Sequence, residues 1–283
     1  MSVLIAGLTI VTVLSFSGCI SDEEGVGPSQ KTNVGVSIAG STTVMPLAEA
    51  CSEEFNAIQD EIHVSLTGGG SGVGIKNVAQ GLADIAMASR QVKPEEKATY
   101  GDDFQEFLVA YDAIAIVVSP AVYDSGISEL SQDDVKAIYD GNISNWDELG
   151  DLNENIYVVA REVGSGTRDT FNSMIMGSEE AETLGVHTFH GSNAEVKTAV
   201  ASSDKGIGYL GLNYAQDGKV GVIAYEGFKP SAETIRDGYY PLARSLYMYT
   251  KGQPNENAQK FLDFVLSDEG QTIAQEVGFV PVI

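Results

Sequence analysis

A chain of 283 residues with 43% hydrophobic content can build one large or two medium packed units, which excludes a fibrous or fully disordered polypeptide. Its 40 acidic residues against 16 basic ones leave a formal net charge of -24. Binding to a nucleic-acid backbone needs a basic stripe that this composition does not supply, so the acidic excess reads as a solvated surface and nucleic acid is not an expected partner.

Residues 2–18 are apolar or small and lead through Ser15-Phe16-Ser17-Gly18 to Cys19. A hydrophobic run with small residues ahead of a cysteine resembles a lipoprotein leader. Cleavage before Cys19 and lipidation of its thiol would tether the chain to the outer face of a membrane. The alternative is an uncleaved N-terminal anchor, the run being near the lower length limit for a span. Both readings place the bulk of the chain outside the cytoplasm. Residues 19–33 are polar, with glycine and proline and no apolar period, and read as a flexible tether. A disulfide between Cys19 and Cys51 is not expected, because Cys51 falls one turn before Phe55 on the apolar side of a helix pattern and reads as a small core residue.

The folded part opens with an alternating strand over 34–40, a glycine turn, and a helix pattern through Leu47, Ala48, Cys51 and Phe55. The unit repeats: a strand over 62–67, a glycine-rich turn over 68–74, a helix from Ile75 to Gln80 and a short strand over 84–88. Strands alternating with helices imply a parallel sheet, whose carboxyl ends gather ligands. The apolar run 107–118 is too long for an ordinary strand and suits one passing from one unit into a second. A second α/β region has strands over 156–160 and 206–210 and a helix from Thr167 or Arg168 through Phe171 and Met174. An extended stretch over 240–249 can cross back, and helices over 258–265 and 271–277 close the chain. The expected organisation is a leader (1–18), a tether (19–33), a discontinuous first lobe (34–111 plus 241–283) and a second lobe (112–240), with a cleft able to close by hinge motion.

Two segments combine glycine-freed backbone N–H groups, hydroxyls and the start of a helix: Gly40-Ser41-Thr42-Thr43 and Arg161-Glu162-Val163-Gly164-Ser165-Gly166-Thr167-Arg168. That combination can hold a small oxyanion without a metal. Removing a dianion from water is tolerated only where each oxygen meets several donors, and Arg161 offers a planar fork that lysine lacks. With Gly70-Ser71-Gly72 and the segment from Ala83 to Arg90, these motifs resemble the phosphate-binding proteins of phosphate ABC transporters over about residues 34–283. The resemblance implies an α/β, two-lobed periplasmic-binding-protein-like fold, each lobe a central β-sheet flanked by helices, with a hinge of two crossing strands. It implies phosphate contacts from Ser41, Thr42, Thr43, Ser71, Arg161, Ser165, Gly166 and Thr167, with Ser89 and Arg90 added. Many members carry an aspartate where this chain has Ser89. That carboxylate accepts from the protonated phosphate oxygen, so here the acceptor is a hydroxyl, with Asp169 as another source and Arg90 either adding charge to the cleft or pairing with a carboxylate behind it.

The expected function is extracytoplasmic capture of inorganic phosphate by a monomer and delivery to membrane permease subunits, with no catalysis, cofactor or metal. The alternatives are a binding protein for sulfate, molybdate or tungstate, and a surface phosphate-ester hydrolase suggested by Arg161 beside Ser165. The segment 69–76 is not a nucleotide P-loop, because Ile75 separates Gly74 from Lys76. His187 and His190 have no cysteine near them, and neither Ser71 nor Ser165 sits in a nucleophile elbow. Glu53-Glu54, Asp133-Asp134 and Glu179-Glu180 read as solvated helix faces.

Overall fold

Strand β1 (Val34–Gly40) leads into α1 (Met45–Ile58), where Pro46 in the first turn sets the helical start and Leu47, Ala48, Cys51 and Phe55 face inward. The computed structural model describes residues 34–283, so the expected leader, Cys19 and tether lie outside the described residues. The strand and helix unit repeats in β2 (Ile62–Gly68), α2 (Ser71–Ala79), β3 (Ile85–Ala88) and α3 (Pro94–Tyr100). A 15-residue strand, β4 (Phe104–Val118), follows. Beyond it come α4 (Pro120–Asp124), β5 (Glu129–Leu130), α5 (Gln132–Asp140), β6 (Tyr157–Arg161) and α6 (Gly166–Phe171). Then follow β7 (Thr188–His190), α7 (Asn193–Ala201), β8 (Gly206–Gly211), β9 (Gly221–Val222), β10 (Ala224–Tyr225) and α8 (Ala232–Arg236). The return strand β11 (Ala243–Lys251) and helices α9 (Glu256–Val265) and α10 (Asp268–Glu276) complete the chain. Among the described residues, no helix is long and apolar enough to cross a membrane.

Nine strands form one curled sheet in the order β2-β1-β3-β11-β4-β8-β6-β7, with β9 also on β4, while β5 and β10 pair separately. β1 lies parallel between β2 and β3, while β11 runs antiparallel between β3 and β4. β4 changes partner along its length. Residues up to Ala113 pair with β11, and Ile114 to Val118 pair with β8. A small apolar cluster joins α2, β3 and β11 through Ile75, Ala86 and Tyr249, and the switch divides most of the other buried apolar residues into two larger cores. One gathers residues between 36 and 110 with others between 246 and 279, and the second gathers residues from 113 to 242 with Val280. β4 and the start of β11 are the strands that cross between the two cores. Cys51 is fully buried in the first core, and burial pushes its thiol up to about 12.

The largest shift of a helix start from the expectation is in α2. α2 begins at Ser71, so residues 71–74 are its first turn and not a loop before Ile75. The glycines there serve close packing. A Cβ on Gly74 would fall 2.6 Å from the carbonyl oxygen of Ala39 and 2.8 Å from Cα of Gly40, so the helix lies directly on the β1 backbone. Gly74→Ala is therefore expected to lower stability by about 1–3 kcal/mol, the usual cost of overpacking. Urea unfolding checks this, and an unchanged midpoint would show that the helix is free to shift away.

Candidate functional site

Arg161 ends β6 with only 1% of its surface exposed. Its Nε donates to the carbonyl of His190 (3.2 Å), Nη1 to Oδ1 of Asn193 (3.1 Å), and Nη2 to the carbonyl of Gly191 (2.7 Å) and Oγ1 of Thr42 (3.3 Å). All four acceptors are neutral. No carboxylate among the described residues pairs with this guanidinium, and loss of water lowers it to about 10, which leaves it charged at neutral pH. A buried, charged and uncompensated cation is costly unless an anion meets it.

Asn193, at the start of α7, arranges the neighbouring hydroxyls. Its Oδ1 accepts from Arg161 and from the backbone N–H of Gly211 (3.2 Å), which fixes the amide's orientation. Its Nδ2 then donates to Oγ1 of Thr42 (3.2 Å) and Oγ1 of Thr43 (3.0 Å). Thr42 Oγ1 thus receives two donors, and its own proton has no acceptor among the described residues. Tyr214 holds the loop by donating to the Thr42 carbonyl at 2.6 Å. Ser41 turns inward on the same loop, its Oγ accepting from the Thr43 N–H at 3.2 Å.

The lobes meet at this point. Oγ1 of Thr43 lies 3.0 Å from Oγ1 of Thr167, and the Gly72 N–H donates to the Gly164 carbonyl at 3.0 Å. Gly70 and Gly164, both at φ +90°, allow that approach, since a Cβ on Gly70 would fall 2.8 Å from the Gly164 oxygen. A Cβ on Gly166 would fall 2.3 Å from Oγ of Ser71 and 2.7 Å from Oγ of Ser89, so three of the expected contacts converge. Ser71 and Ser89 lie 3.4 Å apart through their hydroxyls. Ser165 Oγ caps α6 by accepting from the Arg168 N–H at 3.3 Å. The cavity at the seam, about 330 Å3, is bordered by Thr42, Gly70, Glu162, Ser165 and Glu195. A larger cavity of about 460 Å3 beside Tyr123 and Leu212 gathers a single basic side chain, Lys229.

A model of the PBP superfamily domain matches residues 23–269. The phosphate-binding protein PstS of Bacillus subtilis is 34% identical over 267 residues, covering 93% of this chain and 85% of that one. The chain belongs to the PBP superfamily, in its PstS branch. Among solved structures, a putative phosphate ABC transporter substrate-binding protein with bound phosphate from Clostridium perfringens matches with TM-score 0.82 and 33% identity, over 88% of this chain and all (100%) of that one. An ABC-type phosphate transport receptor from Vibrio cholerae matches with TM-score 0.69 and 30% identity, over 87% and 99% of the two chains.

In this PstS-branch chain the expected residues Thr42, Thr43, Arg161 and Thr167 form one hydrogen-bonded cluster, with Ser71, Ser89 and Gly166 in a second. Arg90, expected among the anion contacts, is turned elsewhere. It donates to both oxygens of Glu96 at 2.8 Å and through Nε to Asp169 at 2.7 Å. Burial alone would lower its pKa, but the two carboxylates outweigh that and hold it above its ordinary value. Its charge is committed to a brace between the lobes, the pairing alternative of the sequence reading. Lys93 extends the brace to Asp169 (3.1 Å) and Glu179 (2.9 Å), which also occupies Asp169 as a source of acceptor. Arg168 lies over the Phe189 ring, 5.1 Å from its centroid, and donates through Nη1 to the Arg161 carbonyl at 3.3 Å.

Asn193, Asp112 and Arg244 were not among the expected site residues. Asp112 and Arg244 form a buried ion pair, with Nη2 of Arg244 2.8 Å from Oδ2. Burial pushes the Asp112 carboxyl above the usual range against the pull of Arg244. The N–H groups of Ala113 and Leu212 offset part of that burial, although Oδ1 has no partner at normal hydrogen-bond geometry. In sequence, the only available signal was a charge pair placed in two otherwise apolar or aromatic extended segments.

Burial raises Tyr209, which accepts from the Arg161 N–H, and Tyr214 to about 12. Burial raises Tyr225 to about 12 as well, and it holds Tyr139, Tyr240 and Tyr249 well above the ordinary tyrosine value. Tyrosines of an unfolded chain release their protons near pH 10, so the stability that neutral tyrosines contribute is whole below pH 10 and lost as pH climbs towards 12 and beyond. Arg161, lowered in the folded state, acts in the opposite sense but is one group against six. Urea unfolding from pH 8 to 11.5 should show a plateau followed by a fall. Stability that is flat or rising at pH 11 would contradict the assigned burial of these phenols.

Proposed function

We propose that the protein captures inorganic phosphate between its lobes, outside the cytoplasm, and hands it to the membrane permease of an ABC importer without transforming it. The observation that carries this reading is the buried Arg161 guanidinium, whose hydrogen-bond acceptors among the described residues are all neutral. The Bacillus, Clostridium and Vibrio relatives, a phosphate-binding protein, a putative phosphate ABC transporter substrate-binding protein and a phosphate transport receptor, agree with it. In this reading residues 34–111 plus 241–283 and residues 112–240 move as the two lobes, the protein works as a monomer, and Cys19 carries the lipid that holds it to the outer face of the membrane. The phosphate contacts are Ser41, Thr42, Thr43, Ser71, Ser89, Arg161, Ser165, Gly166 and Thr167. Arg90 stands behind them as the brace.

A protonated phosphate oxygen needs an acceptor, and the Ser71 and Ser89 hydroxyls supply it, since a hydroxyl can accept as well as donate. The engagement of Asp169 by Arg90 and Lys93 favours a second reading, in which the ligand is another tetrahedral oxyanion without a proton, such as sulfate, molybdate or tungstate. The ester-hydrolase alternative gains nothing, because Ser165 Oγ is turned to the α6 backbone.

Calorimetry on protein stripped of bound anion, titrated with phosphate and then sulfate, molybdate and tungstate, separates the two readings. Phosphate binding one to one with little heat from sulfate supports the first, and the reverse order supports the second. Arg161→Ala should weaken binding by about 2–5 kcal/mol, the scale for truncating a buried charged partner. A loss within twofold, about 0.4 kcal/mol, would remove Arg161 from the site.

A further inference from the structure

Arg244 and Asp112 face each other in register across β11 and β4, where the chain crosses between the cores. Arg244 is 7% exposed and Asp112 is 1% exposed. Oδ2 of Asp112 receives both Nε (3.1 Å) and Nη2 (2.8 Å) of Arg244, which fixes the plane of the guanidinium. From that plane, Nη2 reaches Oγ1 of Thr43 at 3.3 Å and Nη1 reaches Oγ1 of Thr167 at 2.9 Å. One hinge side chain therefore touches a hydroxyl from each lobe.

Counting protons shows what this contact does. A threonine oxygen has two acceptor positions and one proton, whereas a guanidinium only donates. Oγ1 of Thr43 accepts from Asn193 and from Arg244, so its proton must be given away, and Oγ1 of Thr167 stands 3.0 Å off to take it. Oγ1 of Thr167 then accepts from Thr43 and Arg244, and its own proton has no acceptor among the described residues. Without Arg244, Thr167 could direct its proton back to Thr43 and offer a lone pair to the cleft. An anion rejects a lone pair.

We propose that Arg244, held by Asp112, is a positioning residue for oxyanion binding that turns the Thr43 and Thr167 hydroxyls into one-way donors, so that the Thr167 proton is directed at the anion. The function rests on the phosphate reading above. Because the donors of Arg244 meet hydroxyls of both lobes, the same contact ties anion affinity to closure.

Arg244→Gln alone leaves the Asp112 charge buried and unpaired, which threatens the fold. The test therefore uses Asp112→Asn/Arg244→Gln, which removes both charges together, with thermal unfolding to confirm that each variant folds. Phosphate titrations compare the wild type with this double variant, each with and without Thr167→Val and, separately, Thr42→Val. Thr42 is not touched by Arg244.

The double variant should bind phosphate at least about tenfold more weakly. Thr167→Val should weaken the wild type but add less than about twofold in the double-variant background, while Thr42→Val costs the same in both. A role limited to holding the hinge together would leave the Thr167 effect undiminished. Phosphate affinity of the double variant within twofold of wild type, or equal Thr167 effects in the two backgrounds, overturns the proposal. Wild-type protein that takes up no phosphate overturns the functional reading itself, and this inference falls with it.

Discussion

The site depends on one constraint: a guanidinium has been removed from water without a carboxylate to compensate it. Arg161 is held by two backbone carbonyls, an amide oxygen and a hydroxyl, all neutral. These contacts fix its plane while leaving its charge unneutralised, which distinguishes it from Arg90 and Arg244, each locked to carboxylates. Of these three arginines, one has charge to offer a ligand and two arrange what surrounds it. The position of Arg161 follows from the fold, because β6 ends at the seam and the loop from Gly164 to α6 begins there.

Close approach of backbones makes the second half of the arrangement. Gly74 lets α2 rest on β1, and that contact places Ser71 beside Ser89. Gly70 and Gly164 let the lobes touch through main chain, with Gly72 donating across the seam. A side chain at Gly70 would meet the Gly164 carbonyl and hold the two lobes apart. The brace of Arg90, Lys93, Glu96, Asp169 and Glu179 lies to one side of the seam, and its largely buried members are screened by salt much less than surface pairs.

Much of the fold was legible because its signals are local. Alternation marked β1 and β2, the unbroken apolar run marked β4, and glycine with hydroxyls marked the loop of Thr42 and the start of α6 with Ser165 and Thr167. Local patterns failed where a residue's role is set by a distant partner. Arg90 reads as a cleft arginine next to Ser89, yet Asp169, 79 positions away, claims its Nε. Arg244 and Asp112 are 132 positions apart and meet only through strand pairing, so neither carries a motif. Asn193 looks like an ordinary helix-start residue, and only the tertiary structure aims its amide at Arg161 and two threonines. Gly72 and Gly74 read as a loop because glycine disfavours helix. The backbone beneath them admits nothing larger at Gly74.

The position of β11 also governs the order in which the polypeptide can assemble. The second core is drawn from residues 113 to 242, with Val280 the sole later addition, and can condense from one continuous stretch of chain. The first core is split. Its sheet lacks the strand between β3 and β4 until residues 243–251 arrive, and α9 and α10 supply Phe261, Leu262, Val265 and Ala274 after that. The portion from β1 to β3 therefore keeps an open sheet edge until residues 243–251 follow it. During that interval β1 to β3 are the part most exposed to misassociation, and residues 243–283 are what close it.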